Sequence, residues 1–207
     1  MDRLLRFLIV AVALTAGTPA FAAEDAALLD ALAARFGKTA VVSSEFTQTR
    51  TLAALTRPVK STGRLVYARD RGVIWQIEKP YRATYIIDDA RIVEIDANNV
   101  RRERSTKEAP AVAEVGRVFR SIVSGDRKTL VEYFRVEATG DPQKWELRLA
   151  PREKVAPFLK GVVVRGGQFI DHISLTEPSG DRTDLAFERQ RADAALAEAD
   201  ARLFAPK

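Results

Sequence analysis

The chain has 207 residues, no cysteine, a single histidine and a net charge of +5 from 33 basic and 28 acidic side chains. The missing thiols exclude disulfide staples, cysteine nucleophiles and cysteine-ligated metals, and His172 alone cannot build the usual metal centre or a histidine-based triad. The basic excess is mild and interspersed with acids, so nucleic acid is an unsuitable partner, whereas transient contact with an anionic membrane surface suits it.

The first 22 residues read as an export signal. Arg3 and Arg6 precede the apolar run Phe7 to Leu14, and Pro19-Ala20-Phe21-Ala22 offers small residues for cleavage after Ala22. A single membrane anchor fits less well, because the run is short and no stop-transfer pattern follows it. Residues 23–207 suit one domain with its own core.

Glu24 to Phe36 predicts an amphipathic helix, with Leu28, Leu29, Leu32 and Phe36 on one stripe and Gly37 as its stop. Ser44 to Leu52 alternates as a strand, and Pro58 marks a loop or edge. Gly63 to Ala68 and Gly72 to Ile77 then form a strand pair joined by Arg69, Asp70 and Arg71. Leu65, Tyr67, Val73, Trp75 and Ile77 share one side of it, while Val66 and Ile74 leave the opposite side apolar too. Such a pair needs a cover on each face, one of which could be a helix and the other a ligand.

Ala83 to Ile87 and Arg91 to Ile95 predict a hairpin around Asp88 and Asp89. The charged stretch Val100 to Pro110 lacks periodicity and reads as a solvated loop. Ala111 to Ser124 predicts a second amphipathic helix through Val112, Val115, Phe119, Ile122 and Val123. Leu130 to Phe134 fits a short helical piece before a strand Phe134 to Ala138, and Thr139 to Pro142 a turn. Trp145, Leu147 and Leu149 alternate with charged residues in a half-buried strand ended by Pro151. Val162 to Arg165, Phe169 to Thr176 and Thr183 to Arg189 complete a meander. The tail from Ala192 is helix-prone, although Leu203 and Phe204 could equally cap the sheet edge.

About ten short antiparallel strands and two helices result. A sheet of that size curls, leaving a hollow that the helices can plug. The residues expected to line it are Phe46, Leu65, Tyr67, Val73, Trp75, Ile77, Phe119, Trp145, Leu147 and Phe187. They can pack on one another as a core or hold an acyl chain, and the sequence is compatible with both. Catalysis has weak support: Asp88 and Asp89 suit a hairpin tip, and Asp171 and His172 point to opposite faces of a strand. No cofactor or metal site is expected, while a carboxylate pair or a lysine base stays open.

Ser44-Glu45-Phe46-Thr47-Gln48-Thr49, Gly63-Arg64-Leu65 through Arg69, Trp75, Pro80 and the Ile87-Asp88-Asp89 hairpin resemble the amino-terminal half of the LolA family of periplasmic lipoprotein carriers. Trp145 to Pro151, Phe158 and the Ile173 to Phe187 hairpin resemble its closing meander. The resemblance implies a mainly β fold with α, a strongly curved, unclosed antiparallel sheet (a half-barrel) covered by helices over an acyl-binding cavity. It also implies a monomeric periplasmic carrier and not an enzyme, one that takes acylated cargo from an inner-membrane release complex to an outer-membrane acceptor. The absent cysteine matches the soluble carrier.

By the same resemblance Arg69 matches an arginine that latches the helical lid through backbone carbonyls. The family pattern has proline after this arginine. Here Asp70 follows and could pair with Arg69, passing the latch to Arg71. Lys207 ends the chain before the extra segment of dedicated lipoprotein carriers, so another exported lipid, a glycolipid or a hydrophobic pigment precursor stands beside lipoprotein as cargo. The alternative function is an envelope sensor or adaptor of the same fold that binds another protein.

Overall fold

The computed structural model describes residues 20–107 and 110–205. The expected cleavage point after Ala22 falls in the first turn of helix α1 (Ala20–Phe36), and residues 1–19 lie outside the described residues. Among these elements an eleven-stranded antiparallel sheet runs without closing. Its amino-terminal half is the meander β1 (Val41–Thr51), β2 (Val59–Ala68), β3 (Gly72–Lys79), β4 (Ala83–Ile87), β5 (Arg91–Ile95) and β6 (Arg101–Ser105). Its carboxyl-terminal half is the meander β7 (Phe134–Asp141), β8 (Lys144–Pro151), β9 (Gly161–Gly166), β10 (Ile170–Thr176) and β11 (Arg182–Asp193).

The two meanders join where the first strand pairs with the last, β1 against β11, and β6 and β7 form the free edges. Helices α2 (Pro110–Ser124) and α3 (Arg127–Tyr133) connect those edges. That connection carries the chain across the concave side, where α1 also lies. Gly125, at a φ of +65°, ends α2; a side chain there would crowd Phe36 of α1. Asp126 caps α3 by accepting from the Thr129 amide at 3.1 Å.

Alternation decides which side chains enter the hollow. Phe46 stands opposite Gly63 on one side and Phe187 on the other, and Leu65 stands opposite Trp75. Gly63 sits where the β2–β3 register shifts, and a Cβ there would run into the Gln76 carbonyl. These residues form one core with Leu28, Leu29 and Leu32 of α1, Val118 and Ile122 of α2, and Leu130 and Tyr133 of α3. Each fully buried apolar side chain of this size stabilises by about 1.5–3 kcal/mol.

Two expectations change, and two questions left open are decided. The charged stretch after Val100 contains edge strand β6, paired with β5 through Arg91↔Ser105 and Ile95↔Arg101. Charges suit an edge because they deter pairing with another chain. Strand β7 continues through Thr139 and Gly140, and the turn falls at Asp141, which accepts from the Gln143 and Lys144 amides. The tail forms α4 (Glu198–Leu203) and covers a sheet face rather than an edge. The convex face is accordingly covered by protein: Val66, Ile74, Ile86 and Val93 form a second core with Phe204, flanked by Leu196 and Leu203.

Candidate functional site

The concave core is continuous, and every apolar residue expected to line the hollow belongs to it or packs against it. Trp75 lies between Phe46, at a ring distance of 4.1 Å, and Phe119 of α2, at 5.8 Å. Trp145 meets Phe36 of α1 edge-on at 5.9 Å. Aromatic contacts therefore tie both halves of the sheet to the helices above them.

Between sheet and helices lies an apolar cavity lined by Phe36, Val42, Leu65, Tyr67, Ile170 and Phe187, with Ser44 and Gln190 as its polar members. Its volume is about 30 Å³, room for a water or two but far below what an acyl chain needs. Of the expected residues, Leu65, Tyr67 and Phe187 line it, while Phe46, Val73, Trp75, Ile77, Phe119, Trp145 and Leu147 pack around it.

Ser44 shares the face of Val42 and Phe46 by simple alternation, whereas Gln190 escapes such a reading because of a β-bulge in β11. Opposite Ser44 the β11 strand carries two residues, Arg189 and Gln190, with Arg189 at a φ of +50°. The extra residue turns Gln190 toward the cavity. Ser44 is only 5% exposed, and its hydroxyl has no hydrogen-bond partner.

Two arginines donate to backbone carbonyls at the margins of the helical cover. Arg35, in the last turn of α1, donates from Nη1 to Pro142 O at 2.6 Å and to Gly167 O at 2.8 Å. The Trp145 indole N–H donates to the same Gly167 carbonyl at 2.9 Å. Arg69 donates from Nη2 to Thr39 O, in the connection after α1, at 2.6 Å. Its backbone amide also meets Ala40 O at 2.9 Å. Nothing in the sequence pattern singles out Arg35, which precedes the last apolar residue of an amphipathic helix.

Beside the cavity opens a polar cleft of about 390 Å³ that contains Arg69, Arg117, Arg120, Asp89 and Asp126. Tyr67 lines both spaces. Burial pushes its hydroxyl pKa up, against the pull of the Ser124 hydroxyl and of the Arg69 and Arg120 charges.

His172 lies apart from these spaces, 3.6 Å from the carboxylate of Asp184, which accepts from Arg182 at 2.8 Å. Among the described residues no group of His, Cys, Asp and Glu is arranged to hold a metal ion. No helix among them is long and apolar enough to cross a membrane.

The structure is similar to a LolA superfamily protein of Nitrosomonas europaea, with 7% identity, a TM-score of 0.49 and coverage of 86% of this chain and 98% of that one. It is also similar to lipoprotein LppX of Mycobacterium tuberculosis, with 9% identity, a TM-score of 0.44 and coverage of 84% and 100%. A third similar structure is the MucA/MucB complex of Pseudomonas aeruginosa, with 15% identity, a TM-score of 0.46 and coverage of 89% and 61%. No curated protein matches the sequence. The family described as "Outer membrane lipoprotein carrier protein LolA-like" matches residues 20–203, and the chain belongs to that family.

Proposed function

We propose that this protein is a periplasmic carrier that binds the acyl chains of a lipidated cargo, a lipoprotein or another exported lipid, beneath its helical cover. The observation that carries the reading is the apolar cavity between the concave sheet and helices pinned to it at Arg35 and Arg69. The cavity is too narrow for cargo as it stands, so loading requires the helices to lift. Burying a methylene stabilises by about 0.8 kcal/mol, so a few methylenes offset the loss of several hydrogen bonds. Cargo binding and closure are then two competing states with negative coupling.

In this reading residues 1–22 are the export signal, and no cofactor takes part. The handover partners expected in this reading are a release complex at the inner membrane and an acceptor at the outer membrane, and family membership supports them. Arg69 acts as a latch together with Arg35. Its single exposed carbonyl bond predicts that Arg69→Leu leaves the fold intact, costs at most about 1 kcal/mol and releases an apolar dye or native cargo faster than wild type. Identical retention and release in the mutant remove Arg69 from the mechanism.

The decisive experiment is purification from the envelope followed by mass spectrometry of organic extracts. Co-purifying acylated compounds, or uptake of them by emptied protein, are expected. Protein that neither retains nor takes up any acylated compound overturns the reading.

A further inference from the structure

The apolar cavity and the polar cleft share one wall. Tyr67 contributes its ring to the cavity, and its hydroxyl lies by Ser124 among the arginines of the cleft. An elongated molecule passing Tyr67 would therefore leave hydrocarbon surroundings and enter charged ones within the width of one side chain. That gradient matches an amphiphile better than it matches a plain hydrocarbon.

The charges in the cleft fix the sign. Arg69 comes from the β2–β3 turn, and Arg117 and Arg120 from α2, one turn apart. Arg117 donates to the Tyr133 hydroxyl at 3.2 Å. Arg120 reaches Asp89 from Nη2 at 2.6 Å, while its buried Nε has no hydrogen-bond partner. Of the acids, Asp126 is occupied as the cap of α3, accepting from the Thr129 amide and hydroxyl. Asp89 stands on the β4–β5 turn with its side chain 90% exposed, a counter-ion that water can replace at little cost. Asp70 adjoins Tyr67 from the turn that carries Arg69. Guanidinium groups bind phosphate-like oxyanions through paired N–H donors.

We propose that the cargo is an anionic amphiphile, whose oxyanion headgroup binds at Arg69, Arg117 and Arg120 while its chain enters the cavity past Tyr67. This rests on the acyl-carrier reading and deepens it. The headgroup displaces Asp89 from Arg120 and competes with the Thr39 carbonyl for Arg69, so the end of the cargo that arrives at the cleft also loosens the clasp after α1.

Isothermal titration below micellar concentrations tests this with decyl phosphate, decyl maltoside and inorganic phosphate. Decyl phosphate should bind about tenfold tighter than decyl maltoside, and inorganic phosphate far more weakly than either. Arg120→Gln should bring the two decyl ligands to within about twofold, without weakening the maltoside. Asp89→Asn should tighten decyl phosphate by about threefold, an opposite change that misfolding cannot mimic. Arg165→Gln, at the distant ion pair with Glu146, should leave the preference intact.

Equal binding of both decyl ligands by wild type overturns the headgroup site and leaves the carrier reading standing. Inorganic phosphate binding as tightly as decyl phosphate overturns the amphiphile. A preference lost equally in Arg165→Gln reduces the effect to overall charge and overturns the site. Failure of both decyl ligands to bind removes the carrier reading, and the headgroup proposal with it.

Discussion

The two faces of the amino-terminal half-sheet are both apolar, yet they are covered in different ways. On the convex face the cover is the tail, buried at Phe204 and tied down by charge. Arg64 pairs with Asp200 at 2.5 Å, Arg91 donates to Phe204 O at 2.5 Å, and Arg101 reaches Leu203 O and Ala205 O at 3.3 and 3.2 Å. On the concave face the cover is α1, α2 and α3, held by apolar contact, with carbonyl clasps from Arg35 and Arg69. A cavity and an unpaired hydroxyl remain beneath it. Directional bonds tie both covers, but on the concave side, where Arg35, Arg69 and Arg120 make them, they surround an apolar contact that leaves a cavity and can be exchanged for contact with an acyl chain.

The convex cover should therefore be structural and nothing else. Phe204→Ala removes a buried aromatic ring and should lower unfolding stability by about 3–5 kcal/mol, read by urea denaturation. The folded fraction should bind a neutral apolar dye as wild type does. A cost below about 1 kcal/mol, or altered dye affinity in the folded fraction, breaks the distinction between the faces.

The next effect separates the two clasps of the concave cover. Arg35 spends one guanidinium nitrogen on two half-buried carbonyls in turns of the carboxyl-terminal half, whereas Arg69 spends its own on one carbonyl at the surface. Arg35→Gln should cost about 1.5–3 kcal/mol, the range for hydrogen bonds to a charged donor. It should also raise the uptake rate of an apolar dye more than Arg69→Leu does, because α1 then loses its tie to the turns at Pro142 and Gly167. Equal dye kinetics in the two mutants would mean that the cover opens about its other end.

Legibility in the sequence followed how far each element obeys a simple period. Trp145, Leu147 and Leu149 alternate with charged neighbours because β8 has one dry face and one wet one, and all three are buried as expected. Strand β6 was hidden because an edge is held by backbone bonds to β5, which leave no trace in the run Arg101-Arg102-Glu103-Arg104-Ser105. The tail was ambiguous for another reason. Its alanines favour helix, but only the apolar convex face provides somewhere for Phe204 to go. At the site, membership of the concave core was legible from strand pairing, but of the ten expected residues only Leu65, Tyr67 and Phe187 line the cavity. Gln190 was not legible, since a bulge in β11 breaks the alternation there; Ser44 shares the face of Phe46 but is polar, so an apolar pattern passes over it, and Arg35 finds its carbonyls on turns more than a hundred residues away.

The smallest expected effect bears on what the concave face gives up by holding a cavity. The Ser44 hydroxyl is buried against Leu65 and Phe187 with no partner, and an unpaired buried polar group of this kind costs about 1–3 kcal/mol. Ser44→Ala removes that cost and leaves a void of one oxygen atom, so the empty protein should become more stable by about 1 kcal/mol in urea denaturation. Most substitutions in a filled core destabilise, so the sign of this one is diagnostic. A loss of stability instead would show that the hydroxyl is paired to water inside the cavity, making the concave face wet where it reads as dry. A gain would mean that the closed state carries a polar group it does not use, one available to a cargo carbonyl when the helices lift.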